Sequence, residues 1–148
     1  MNVNNNNSFF STSRYISLTL NNTTGQATSL IQVPFMVKEI IVKQLNYQDS
    51  NAFTNLQSYG TVLSDIITTS GNNVLGVVNT TSTAGAGHQP NYINNRFCFK
   101  NPVKISGIYV FELRDFLGTS VFSGLTGTTN LSIFLEFIEY DVDTFTVS

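Results

Sequence analysis

Two runs near the C-terminal end limit what this chain can fold into: Lys104-Ile-Ser-Gly-Ile-Tyr-Val-Phe-Glu-Leu-Arg114 and Asn130-Leu-Ser-Ile-Phe-Leu-Glu-Phe-Ile-Glu-Tyr140. Both are rich in β-branched and aromatic residues, which favour a pleated strand over a helix. Side chains alternate faces along a strand. In the first run this puts Ile105, Tyr109, Phe111 and Leu113 on one face, with Gly107 among them. In the second, Leu131, Ile133, Leu135 and Phe137 share a face. These two faces are expected to form the middle of a β core.

Further strands are expected upstream. Arg14–Leu20 alternates, with Ile16, Leu18 and Leu20 opposite Tyr15, Ser17 and Thr19, and Asn21-Asn-Thr-Thr-Gly25 supplies the turn that ends it. Phe35–Leu45 also fits a helical period through Val37, Ile40, Ile41 and Gln44, but the Ile-Ile-Val triplet and the preceding Pro34 favour strand. Strands are expected over Leu56–Ile67 with a bend at Gly60, over Val74–Val78, over Arg96–Lys100 up to the break at Asn101-Pro102, and over Ser120–Phe122. Thr80–Asn95 reads as a long loop. The total is about eight strands with no convincing helix, and a β-sandwich or barrel is the architecture that buries such a set. A chain of 148 residues is long enough for one such core and buries roughly 70% of its unfolded surface. Residues 1–13 read as a flexible arm, and 14–148 as a single domain.

Composition argues against several functions. Seven Lys and Arg against nine Asp and Glu leave a net charge of −2, without the basic stripe that phosphate-backbone binding requires. The polar share is carried by Asn, Ser and Thr, residues of turns and strands. The single Cys98 cannot form an intramolecular disulfide. The start lacks the basic and apolar regions of a secretory signal, and no run reaches the ~20 apolar residues of a membrane span.

No constellation of reactive groups stands out. His88 is the only histidine, and a loop is a poor place to hold a base. Cys98 lies between Arg96 and Lys100, cations that lower a thiol pKa, but a lone small strand residue is the commoner case. Gly85-Ala-Gly87 lacks the Lys-Ser/Thr and helix of a phosphate loop. Glu136 and Glu139 fall on opposite strand faces, so they are not a paired acid and base. Asp141 and Asp143 lack the loop of a calcium site. The sequons at Asn6, Asn21, Asn22, Asn79 and Asn130 are what an Asn/Thr-rich chain yields by chance. The expectation is a protein that is not an enzyme and needs no cofactor or metal.

The second faces of the two strongest strands are apolar as well: Ile108 and Val110 on one, Phe134 and Ile138 on the other. Burying each such side chain contributes roughly 1.5–3 kcal/mol. Either loops or the N-terminal arm cover them, or a neighbouring subunit does, and the lack of covering helices favours the subunit. Phe9 and Phe10 join them as candidate interface residues, because adjacent aromatics in a polar arm either anchor to a partner or fold back.

Taken with Phe35–Tyr47, the runs Ile105–Asp115 and Leu131–Tyr140 resemble the small single jelly-roll penton and minor capsid proteins of eukaryotic double-stranded DNA viruses, including virophages, polinton-like viruses and giant viruses. The resemblance covers about residues 30–140 and is one of strand texture. It implies an eight-stranded antiparallel jelly-roll sandwich acting as a structural capsid subunit of the virion. Partners would be copies of itself, as a homopentamer or a trimer, together with neighbouring capsid proteins. The family has no catalytic residues to carry over. The rival class is a binding module, a jelly-roll lectin or a trimeric receptor-binding head, with Tyr15, Tyr47, Tyr59, Tyr92 and Tyr109 offering stacking surfaces.

Overall fold

The computed structural model describes residues 10–21, 23–49, 59–79, 91–114 and 129–139. They form six strands: β1 (Ser11–Thr19), β2 (Gln26–Asp49), β3 (Tyr59–Ser64), β4 (Val74–Asn79), β5 (Asn91–Arg114) and β6 (Thr129–Glu139). The strands make one antiparallel sheet in the order β1-β6-β2-β5-β3-β4. The chain is thus all-β, as expected. Leu131, Ile133, Leu135 and Phe137 are fully buried, as are Phe111 and Leu113, and Ile105 is nearly so.

Among the described residues six strands stand where eight were expected, in part because the break at Asn101-Pro102 does not interrupt the ladder. Two expected strands join in β5, while β2 begins ahead of Pro34 rather than after it. β2 and β5 are each 24 residues long. β2 runs through Pro34, and β5 through Asn101-Pro102. Gln26–Gln32 pairs with Ser106–Glu112, whereas Val37–Asp49 pairs with β6 on one side and, up to Leu45, with the start of β5 on the other. Between these portions the register shifts twice. Val33–Phe35 of β2 face Ile105 alone, then Phe99–Pro102 of β5 face Lys38 alone. Extra residues in one strand bend it and increase its twist. Both prolines lie in these irregular stretches, where a missing N–H costs no ladder bond. The expected Ser120–Phe122 strand lies outside the described residues.

The bends let the sheet close on itself. β4 stands three places from β2, which on a flat sheet is about 14 Å. Yet a Cβ on Gly76 of β4 would lie 2.8 Å from Leu45 Cδ1 of β2 and 3.1 Å from Ile93 Cδ1 of β5. Asn95 Nδ2 adds a hydrogen bond to Leu75 O at 2.8 Å. On the opposite side Arg14 of β1 donates to Gln32 O of β2 at 3.0 Å. Between these two closures lies a single core drawn from every strand, including Ile16, Leu18, Val42, Leu45, Val62 and Leu75.

The strand expected over Leu56–Ile67 is shorter. It ends at Ser64, and Asp65–Ser70 forms a 3-10 helix. Ser64 Oγ accepts from Ile66 N at 3.2 Å, which satisfies a free donor at the helix start. Gly71, at φ +88°, stops the helix in a left-handed conformation that costs a residue with a Cβ roughly 1–2 kcal/mol. Ile66 and Ile67 are buried from the helix rather than from a strand. Gly60 pairs regularly with Val78, and the irregularity falls between Val62 and Leu63. β1 begins at Ser11, inside the stretch read as an arm. Asn91–Asn95, read as loop, opens β5.

Gly76 offers a test of the closure. Gly76→Val crowds the fully buried Leu45 and the hydrogen-bonded Asn95, so urea unfolding is expected to show a loss of about 1–3 kcal/mol. An unchanged midpoint would mean that β4 does not pack across β2.

Candidate interaction surface

Curling the sheet turns its outer faces in different directions, and the expected interface residues divide between them. On the first outer face, carried by Gln26–Gln32 and Ser106–Arg114, Leu30 and Ile108 are direct cross-strand partners. They are 64% and 70% exposed. Val110 lies beside them, half-buried, opposite Thr28. Its N–H donates to Asp65 Oδ1 at 3.0 Å, so the 3-10 helix supplies an acceptor beyond the end of β3.

Polar groups frame this apolar pair. Gln26 Nε2 donates to Glu112 Oε2 at 2.9 Å, and Arg114 Nε meets Glu112 Oε1 at 2.7 Å. Partial burial acts to raise the Glu112 carboxyl pKa, but the hydrogen bonds from Arg114 and Gln26 outweigh it and hold the pKa below its usual value. On the other flank stand Gln32 and Ser106. Next to them a shallow groove of about 480 Å³ is lined by Arg14, Gln32, Val33, Pro34, Lys104 and Ser106. Its cations already serve backbone carbonyls, Arg14 that of Gln32 and Lys104 Nζ that of Val33 at 3.4 Å.

The second outer face is carried by β1, β6 and the latter part of β2. Tyr15 and Phe134 pack edge to face, with ring centroids 6.2 Å apart and planes at 78°. Tyr15 is 60% exposed, and Phe134 is half-buried. Ile138, on the same strand face as Phe134, is already buried at 6% exposure. Phe10, just ahead of β1, is 72% exposed. Phe9 lies outside the described residues, as do His88, Asp141 and Asp143.

Thus Ile108 and Phe10 are open to solvent, Val110 and Phe134 are partly covered, and Ile138 is covered within the single chain. The residue that sequence reasoning missed is Leu30. Gln26–Val33 carries an alternation of Ala27, Ser29, Ile31 and Val33, all buried or half-buried, but the adjacent Leu30-Ile31 pair blurs it. Without the register against β5, nothing marked Leu30 as outward. The tyrosines do not share a face: Tyr47 is buried, Tyr109 packs against the core, and the exposed Tyr15 and Tyr59 sit on β1 and β3.

Cys98 lies on an exposed part of β5 opposite Glu39. Its thiol donates to Glu39 Oε2 at 3.4 Å, while Arg96 Nη1 lies 3.3 Å from Glu39 Oε1. The flanking cations, expected to lower the thiol pKa, are outweighed. Desolvation raises it first, and the hydrogen bond and negative charge of Glu39 add to this, against smaller effects of Arg96 and Lys38. Arg96 is largely neutralised by the carboxylate that the thiol also meets. Glu136 pairs with Lys43 at 3.7 Å, an exposed contact contributing about 0–1 kcal/mol. Among the described residues no helix is long and apolar enough to cross a membrane.

No family model and no curated protein matches this chain. Among solved structures it is similar to a family two carbohydrate esterase from Cellvibrio japonicus, at 14% identity and a TM-score of 0.22. The match covers 88% of this chain and 35% of that one, so this chain spans about a third of the esterase's length. A likeness of that grade carries no argument about fold or activity.

The Glu39 contact generates a prediction. Burial raises the thiol pKa first and Glu39 adds to it, so Glu39→Gln removes part of that rise. The reaction of Cys98 with a maleimide is then expected to set in at lower pH than in the unmodified protein. A pH–rate profile measures this, and an unmoved or raised midpoint would contradict the assignment.

Proposed function

We propose that this chain is a structural subunit that assembles with copies of itself, a capsid-type shell protein of the penton-like kind whose sequence texture it shares, rather than an enzyme. The observation that carries the reading is the Leu30–Ile108 pair, two branched aliphatic side chains directly opposite each other and mostly in water. A closed, polar-rimmed sheet face with an apolar centre suits burial against a neighbour. The charges that frame it, Glu112 with Arg114 and the groove cations Arg14 and Lys104, already have partners within the chain, which lowers the cost of packing like subunits over them.

The strand pairing supports the finer architecture of the proposal. Counting each part of β2 and β5 as its own strand gives eight segments. They fall into two four-membered groups, β1-β6-β2-β5 and β2-β5-β3-β4, facing each other across one core. Such a grouping supports a jelly-roll sandwich as the architecture. The raised thiol pKa of Cys98 argues against a thiolate nucleophile.

Magnitude decides how such a subunit would assemble. Leu30 and Ile108 are already about a third covered, so burying the remainder contributes about 2–4 kcal/mol for the pair. Association costs at least about 4 kcal/mol in lost translational and rotational freedom. The pair therefore does not hold a dimer alone. It serves as the centre of a larger contact, repeated around a closed ring, where each subunit uses two interfaces. A homopentamer is the favoured ring, with a trimer as the alternative.

Native mass spectrometry tests this. A discrete ring is expected for the unmodified protein, and Ile108→Asp or Leu30→Asp is expected to give folded subunits that no longer form it, with assembly weakened at least tenfold. A protein that stays monomeric at high concentration, or whose ring survives both changes, would overturn the proposal.

A further inference from the structure

β1 is one outer edge of the sheet, and its pairing with β6 fixes which of its backbone groups are free. Glu139 N donates to Phe10 O at 2.9 Å, and Leu20 N donates to Thr129 O at 2.9 Å. In an antiparallel ladder, alternate residues exchange bonds with the neighbouring strand, and the residues between them turn their N–H and C=O the other way. The even-numbered residues of β1 therefore bond to β6. Ser11, Ser13, Tyr15, Ser17 and Thr19 aim their backbone groups away from the sheet. Among the described residues only one of those groups has a partner: Arg14 Nη1 donates to Ser13 O at 3.1 Å. That carbonyl keeps a second lone pair.

The same five residues carry the exposed side chains of β1. Four are small hydroxyl residues, and the central one is Tyr15, already edge to face with Phe134. No charge and no proline stands among them. Natural edge strands are usually blunted by such residues, because a free row of donors and acceptors is a template for another strand. The charge that is present, Arg14, reaches across to Gln32 O with one nitrogen and donates to the edge carbonyl of Ser13 with the other.

We infer that the outer edge of β1 pairs with β1 of a second copy, antiparallel and about a two-fold axis at Tyr15. Only odd-numbered residues offer free backbone groups, so odd must meet odd. Centring on Tyr15 uses all five and gives Ser11 opposite Thr19 of the partner, Ser13 opposite Ser17, and Tyr15 opposite Tyr15. Each of the five pairs exchanges two bonds, giving about ten, which is the usual number for a specific interface. The side chains suit this register. Hydroxyl residues meet hydroxyl residues, a favourable cross-strand pairing. Arg14 falls opposite Ile16 of the partner and diagonal to Arg14 of the partner, and each guanidinium is held within its own chain by Gln32 O and Ser13 O. On the outer face the two Tyr15 rings come together, each backed by its own Phe134, into a row of four aromatics. The contact is isologous, and therefore distinct from a ring contact through Leu30 and Ile108.

The register makes the inference testable by cross-linking in a Cys98→Ser background. Tyr15→Cys is expected to form a covalent dimer on mild oxidation. Ser13→Cys alone is expected to cross-link at least tenfold less, whereas a mixture of Ser13→Cys and Ser17→Cys chains is expected to cross-link efficiently. Tyr15→Lys sets two ammonium groups face to face on the axis, and Ser17→Pro removes an outward N–H without touching the β6 ladder. Each is expected to weaken the two-fold contact at least tenfold in sedimentation analysis, with far-UV circular dichroism unchanged. Ile108→Asp is expected to leave the Tyr15→Cys cross-link intact, which separates this contact from the ring. Absence of the Tyr15→Cys dimer, or equal cross-linking of Ser13→Cys alone, would overturn the inference.

Discussion

The molecule depends on a matched pair of irregularities in its two longest strands. Val33–Phe35 of β2 stand against one residue of β5, and Phe99–Pro102 of β5 stand against one residue of β2. Bulges on one strand alone would shear the pair apart. With one on each, both strands turn together and keep their partners on either side of the turn. Everything downstream follows from this. The two ends of β2 take different neighbours, β4 comes to lie on Leu45, and apolar residues from all six strands meet in one core.

This also explains which parts of the fold were legible in the sequence. The core faces of β1 and β6, and that of the second part of β5, could be read directly because alternation there is unbroken from Ile16 to Leu20, Ile105 to Leu113 and Leu131 to Phe137. The continuity of β2 and β5 could not be read. Pro34 and Asn101-Pro102 signal a stop by local rules, and only the neighbouring strand shows that no hydrogen bond was needed there. Ile66-Ile67 illustrates the opposite case. Two β-branched residues favour strand by propensity, but Ser64 and Gly71, with its left-handed φ, outweigh it by capping a 3-10 turn at both ends.

For the surface, sequence reasoning identified the second faces but not their grouping. Ile108 and Phe134 looked equivalent, each an apolar residue opposite a core face. In the fold they point to different sides, and coverage separates them further: Ile138, expected to sit beside Phe134 at an interface, is 6% exposed within the single chain. Leu30 needed the register with Ile108 before it meant anything. Cys98 needed the same kind of information, since its neighbours in sequence are cations while its neighbour across the ladder is the carboxylate of Glu39. Local sequence predicts the along-strand environment. The cross-strand environment, at about 5 Å, is as close and is set by topology.

The position of β6 has a bearing on biosynthesis. It lies between β1 and β2, so β1 has no backbone partner in the sheet until β6 has left the ribosome. Pairing residues as distant in sequence as Thr19 and Asn130 carries a loop-closure cost that slows folding. An emerging chain therefore holds Ile16, Leu18 and Leu20 without the shelter of β6 until that strand has been made, an interval in which exposed apolar surface lets aggregation compete with folding.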